Sequence, residues 1–245
     1  MIVKIKKIVA LSLALHLSSF GVNAVQAEPI TVFTADLPPF VIEAEGGDLG
    51  SMREILNEMA LRAGIELDYK IQPWTRSQKD AQKTPNALII PVGRNPSREP
   101  NYNWVVKTIV TNELFVSGGD PVNSLDDAKK LKSVTALAGS PRERKLNEAG
   151  LTNVNVSRNT ELAAKLLTSG RADAWYTLDH RALYAIKSLG VSTDSVKLGT
   201  ALSSTDLWVA SSKEFDPAIA AALVKALEDM RADGAYDAIV QKYTE

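Results

Sequence analysis

The sequence runs to 245 residues, with 28 basic and 29 acidic side chains, two histidines and no cysteine. Near-neutral charge without a basic stripe argues against a nucleic-acid partner. Without cysteine there can be no disulfide and no lipid-modified cysteine at a leader cleavage site. With two histidines, most zinc sites and Cys-His pairs cannot be assembled, so no metal and no cofactor is expected.

In chain order, residues 1–27 read as an export leader. Lys4, Lys6 and Lys7 give a positive start, residues 8–17 are mostly apolar, and Val25-Gln26-Ala27 offers small residues where a signal peptidase reads. The apolar run is shorter than the roughly 20 residues a spanning helix needs. Cleavage is expected after Ala27. The three leader lysines then leave a 218-residue chain with a net charge of −4, enough for one large or two small domains. His180 is the histidine that remains. A Ser-His-Asp triad around it is formally open but lacks a nucleophile elbow, and a solvated helix residue beside Arg181 is the other reading.

Residues 30–34 alternate like a strand, and 36–40 form a proline-stiffened loop. Met52, Ile55, Leu56, Met59 and Ala60 fall at helical spacing within 51–63, and Gly64 closes that helix. Strands follow at 65–71 and 87–92, and 104–116 reads as extended chain leaving this unit. A second unit has helices at 124–130, 142–149, 161–168 and 179–189, with strands at 133–138, 154–156 and 174–178. A strand returns at 207–210, and two helices, 217–232 and 235–243, end the chain around Gly234. Strands alternating with helices predict an α/β protein. In such sheets ligands sit at the carboxyl ends of strands. That rule selects the loops 36–40, 91–98, 139–142 and 176–179.

Several of these loops carry side chains suited to binding. Asp36 can accept a ligand ammonium or cap its turn. Phe40 reads as half core and half cleft wall. Gly139 and Ser140 precede a helix, where backbone N–H groups can receive a carboxylate or where Ser140 simply caps the helix; Arg142 is their neighbour.

A set of marks recurs in order along the chain: Pro38-Pro39-Phe40, Gly50, Pro73-Trp74, Asn95-Pro96-Ser97-Arg98-Glu99, Ser124-Leu125-Asp126-Asp127, Gly139-Ser140, Ser169-Gly170-Arg171-Ala172-Asp173-Ala174, Asp216-Pro217, Asp233-Gly234 and Lys242-Tyr243. In this order and spacing the chain resembles the family 3 extracellular solute-binding proteins, the amino-acid-binding components of bacterial uptake transporters. The resemblance implies a two-lobed periplasmic-binding-protein-like fold of type II, each lobe a mixed sheet flanked by helices, joined by two crossing strands. The first lobe would hold 28–113 plus 204–245 and the second 114–203, closing by hinge motion on a ligand.

By the same resemblance Arg98 would grip a ligand carboxylate, for which its planar fork is suited. Trp74 would be an aromatic wall or a core residue. Pro-Trp-x-Arg, which recurs in a divergent branch, brings in Arg76, facing the same way as Trp74 if the chain is extended there, or else a helix charge. The family's acid for an α-ammonium follows the strand after Gly-x-x-Asp. Here Asp179 is nearest but one residue late, with Tyr176 and Thr177 at the same mouth. Leu37, Pro91, Gly93 and Ser51-Met52-Arg53 depart from the family pattern. The implied function is a monomeric periplasmic protein that carries a small carboxylate-bearing solute to an inner-membrane ABC permease. Alternatives are an enzyme on the same fold, like cyclohexadienyl dehydratase, or a sensor module; no general acid-base pair is evident.

Overall fold

The computed structural model describes residues 28–43 and 47–245. The expected leader, 1–27, lies outside the described residues. Among those described, no helix is long and apolar enough to cross a membrane.

Nine strands form one curled sheet in the order β2-β1-β3-β9-β4-β7-β5-β6, with β8 beside β4. These are β1 (Ile30–Thr34), β2 (Leu67–Ile71), β3 (Leu88–Gly93), β4 (Asn103–Ser117), β5 (Val134–Leu137), β6 (Val154–Ser157), β7 (Ala174–Leu178), β8 (Lys197–Leu198) and β9 (Ser203–Ser211). β2, β1 and β3 run parallel to one another, and so do β6, β5 and β7. In each parallel set the first strand of the unit is central. The sets are joined through β9 and β4, which are antiparallel to each other and to their outer neighbours.

Helices make the crossovers. In the first set these are α1 (Ser51–Ala63) and α2 (Trp74–Lys83), and in the second α4 (Pro141–Glu148) and α5 (Thr160–Thr168). α3 (Leu125–Lys129) precedes β5, α6 (Asp179–Ser188) follows β7, and α7 (Pro217–Asp233) and α8 (Ala235–Thr244) end the chain. The apolar stripe Met52, Ile55, Leu56, Met59 and Ala60 of α1 is buried against Val32, Leu88, Ile90, Val209 and Leu227. On the other face of the same strands, Phe33, Ile89 and Val92 pack with Ala81 and Tyr102. In the second set, Leu114, Val116 and Trp175 face α5 and α6, while Phe115, Ala136 and Tyr176 face Leu146 of α4 and Ala128 of α3. Period-two alternation along β4 and β7 sends neighbouring side chains to opposite layers.

α2 was not expected from sequence. Only Ser77 and Ala81 are buried on it, so its buried stripe is small and its apolar periodicity weak. Ser77 Oγ donates to the carbonyl of Thr34 at 2.6 Å, tying the helix to β1. This helix decides between the two readings of Arg76 in favour of a helix charge and against its facing the same way as Trp74. At 100° per residue, side chains two apart diverge by about 200°. Trp74 is half-buried beside Tyr102's cluster, whereas Arg76 is exposed and pairs with Asp80 one turn on at 3.5 Å.

Gly50 joins the loop after β1 to α1. Its φ is 94°, and a β-carbon there would sit 2.6 Å from the carbonyl oxygen of Phe40. Gly64, at the other end of α1, has φ 67° but open space around it. Gly50→Ala is therefore expected to cost about 2–3 kcal/mol from strain plus backbone collision, against about 1 kcal/mol for Gly64→Ala. Urea denaturation of the two variants compares them, and equal losses would show that the Phe40 contact relaxes freely.

Candidate functional site

The carboxyl ends of β1 and β3 and of β5 and β7 carry the loops that the strand-end rule selects for ligand binding. In the first loop, Asp36 is exposed and its Oδ1 accepts the backbone N–H of Glu43 at 2.9 Å. The carboxylate closes its own turn. Phe40 is buried in the main core cluster, and its ring centroid lies 6.1 Å from that of His180 on α6.

After β3, two arginines have opposite fates. Arg94 binds both carboxylate oxygens of Glu99, at 2.6 and 3.2 Å, and its guanidinium carbon sits 5.2 and 4.9 Å from the ring centres of Trp104 and Trp208. Arg98 is half-buried, and its guanidinium makes one hydrogen bond, from Nη1 to the carbonyl of Gly93 at 2.8 Å. It has no carboxylate partner among the described residues. Four of its five N–H donors remain for a ligand.

The mouth of the second set is more crowded than the sequence suggested. The N–H of Gly139 donates to Glu143 Oε2 at 2.5 Å, and that of Glu143 to Ser140 Oγ at 3.2 Å. This is a variant of the capping box, in which the glutamate reaches the N–H one residue before the N-cap. The N–H of Ser140 goes to Leu137 O at 3.1 Å, and Pro141 has none to give. The expected carboxylate cradle at Gly139 and Ser140 is thus occupied by the helix's own Glu143. Capping and anion binding compete here for the same donors.

Arg142 turns inward to Glu113 of β4, Nη1 to Oε2 at 3.0 Å. The same carboxylate receives Tyr176 Oη at 2.6 Å and Lys145 Nζ. Burial pushes the Glu113 carboxyl up. Hydrogen bonds from Lys145 and Tyr176 and the charges of Lys145 and Arg142 outweigh it, so the carboxyl is held below its usual range. Burial and Glu113 push the Tyr176 phenol up. Tyr176 also stacks on Phe115 at 4.6 Å and lies in the core rather than at a ligand mouth. Thr177 is fully buried in β7.

Asp179 faces the joining strands. Its Oδ1 accepts from Thr111 Oγ1 at 2.8 Å and from the N–H of His180 at 2.7 Å, and its Oδ2 accepts from Asn112 Nδ2 at 2.8 Å. Asn112 in turn accepts from Ser204 of β9. Three of the roughly four acceptor directions of the carboxylate are used within the protein, both bonds to Oδ1 and one to Oδ2.

Sequence reasoning missed Glu113 and Arg181. A lone acid in the extended run 104–116, directly before Leu114-Phe115-Val116, was the signal for Glu113. Arg181 gave no signal beyond its neighbour His180. It sits in the first turn of α6, half-buried, with no hydrogen-bond or ion-pair partner among the described residues. Burial and the nearby Arg142 pull its pKa down to about 10. His180 is held below its usual range chiefly by burial, against the opposing charge of Asp179 and a bond to Val110's carbonyl. It is a packed neutral residue, neither solvated nor placed beside a serine nucleophile. A cavity of about 860 Å³ lies at the far edge of the second set between Ser117, Val122, Lys132, Leu167 and Val196, away from these loops. No cluster of three His, Cys, Asp or Glu residues able to hold a metal occurs among the described residues.

This fold, two parallel sets bridged by a crossing strand pair, is that of the type II periplasmic binding proteins. The model of the bacterial extracellular solute-binding proteins, family 3, matches residues 30–245, and the chain belongs to that family. The lysine/arginine/ornithine-binding periplasmic protein of Escherichia coli (strain K12) is 26% identical over 256 aligned positions, covering 97% of this chain and 96% of that protein. A structure of substrate-binding domain 2 of Lactococcus lactis GlnP in an open conformation superposes with a TM-score of 0.73 at 19% identity, covering 89% and 96%. A histidine kinase sensor domain similar to periplasmic binding proteins does so with 0.63 at 16% identity, covering 88% and 96%.

Two expectations follow. Glu113→Gln strands Arg142 and Lys145 beside a neutral group and should cost about 2–3 kcal/mol, the low end for a buried pair because Lys145 is half exposed. Denaturant unfolding measures this, and a loss near zero would show the cluster to be dispensable. For His180, the unfolded chain binds more protons once pH falls through about 6.5, because the folded value is lower. Stability should therefore drop as pH falls from about 7 to about 5, and less steeply in His180→Leu. Thermal unfolding across that window, with parallel slopes for the two proteins, would refute the assignment.

Proposed function

We propose that this chain is a periplasmic solute-binding protein that captures a small polar solute bearing a carboxylate, an amino acid or another acid. Two lobes, 28–113 with 204–245 and 114–203, close on the solute about β4 and β9, and a monomer delivers it to an inner-membrane ABC permease. Family membership and the periplasmic relative support the address and the class of job. The leader read over 1–27, cut after Ala27, is consistent with that address.

One observation carries the ligand reading. Arg98 is a half-buried guanidinium at the carboxyl end of β3 with no carboxylate partner among the described residues, while its neighbour Arg94 already holds one. A charge brought partly out of water without a counterion is costly, and a bound carboxylate removes the cost. The acids near the cleft support binding over turnover. Glu113 and Asp179 are both engaged by donors within the fold, so neither is poised for proton transfer.

A thermal-shift screen against amino acids, dicarboxylates, polyamines and small peptides should show stabilisation by carboxylate-bearing compounds, because a ligand of the folded state raises the melting temperature by mass action. Arg98→Ala should then weaken binding by about ten- to a hundred-fold, the worth of a charge-assisted pair, with little change in unliganded melting. Calorimetry showing unchanged affinity would remove Arg98 from the site.

A further inference from the structure

Arg181 is electrostatically misplaced as a structural residue. It occupies the first turn of α6, where the aligned peptide dipoles already present positive charge. It is half-buried, so part of its hydration is lost. Its charge is felt by Arg142 at the start of α4, a second cation on the same carboxyl edge of β5 and β7. Each of these three features is unfavourable for a guanidinium, and no hydrogen bond or ion pair within the described residues offsets them.

The nearby acids are all committed elsewhere. Asp179, two residues earlier, gives its oxygens to Thr111, Asn112 and the chain's own N–H. Glu143 holds the N–H of Gly139. Glu113 is shared among Arg142, Lys145 and Tyr176. Arg142 and Lys145 both pair with Glu113, so of the three cations on this edge Arg181 is the one without an ion pair among the described residues. His180, held neutral by burial, adds no charge.

Building on the reading of Arg98 above, we propose that Arg181, with Arg142 beside it, forms a second anion subsite, and that the solute carries two acidic groups. One group is taken by Arg98 at the end of β3 and the other by Arg181 at the end of β7. A dicarboxylate or an acidic amino acid has this chemistry. An anion at Arg181 reverses all three penalties at once, since it meets the helix N-terminus, replaces the lost hydration and separates the like charges.

Calorimetry on the full chain tests this with L-glutamate, L-aspartate, succinate and glutarate, each set against an amide or monoacid counterpart: L-glutamine, L-asparagine and butyrate. At least one diacid is expected to bind about ten-fold or more tightly than its counterpart. Arg181→Gln should abolish that preference while leaving the counterpart's affinity within about two-fold, whereas Arg98→Ala weakens both. Arg181→Lys, which keeps the charge but loses the fork, should retain part of the preference. Without ligand, Arg181→Gln should melt at the same temperature as the parent or higher, because it removes an uncompensated charge; a large loss of stability or failure to fold would overturn the proposal. So would an unchanged preference in Arg181→Gln. If monoacids bind in an Arg98-dependent way with no gain from a second acid, this inference fails and the carboxylate reading stands. If no carboxylate binds the parent protein, both fail.

Discussion

Glu113 is the point at which β4 changes partners. It lies opposite Ser203 of β9 on one side and Leu178 of β7 on the other. Before it, the ladder belongs to the first parallel set through β9; after it, to the second through β7. Thr111, Asn112 and Glu113 then do a second job. Thr111 and Asn112 hold Asp179 at the start of α6, and Glu113 holds Arg142 at the start of α4. Three consecutive residues of one strand thus fix both helices that form the second set's side of the cleft. A change in the twist of β4 there must carry both helix starts with it, because short charge-assisted bonds tolerate little stretching. In the lobe closure proposed above, a continuous strand would carry both helix starts in this way without breaking the sheet.

The same constraint explains the distribution of charge. Arginines occur along both edges, yet each has a distinct environment. Arg94 is neutralised by Glu99 and laid over two tryptophans, and Arg142 is drawn onto Glu113. Those two serve the scaffold. Arg98 has only the carbonyl of Gly93, and Arg181 has nothing. Solvent exposure does not separate the two kinds, since Arg94 is the most open of the four. The separation lies in whether an acid is within reach, which sequence neighbourhood does not reveal.

The fold was legible where bulky apolar residues repeat with the period of their element. Met52, Ile55, Leu56 and Met59 announce α1, and the run around Ile89 and Ile90 announces β3. α2 was not legible because its buried stripe is made of Ser77 and Ala81, which hydropathy scarcely registers. That one omission left Arg76 with two readings, since period two and period 3.6 send it to opposite sides. The capping box was written in the sequence as Ser140 followed three residues later by Glu143, and it settles how the Gly139 donor is used. The bonds from Thr111 and Asn112 to Asp179 could not be read that way. They join residues 68 and 67 positions apart, and only the register of β4 on β7 brings them together.

That register also gives meaning to the one-residue displacement of Asp179. By the family resemblance an acid for a ligand ammonium would fall at Leu178, and Leu178 packs toward the main core cluster. The carboxylate one step along the chain stands at the first residue of α6, where Thr111 and Asn112 of β4 donate to it. The acid is kept but spent on the scaffold. On the proposals above, Arg98 and Arg181, neither with a carboxylate partner among the described residues, would favour a cargo whose own acidic groups supply what they lack.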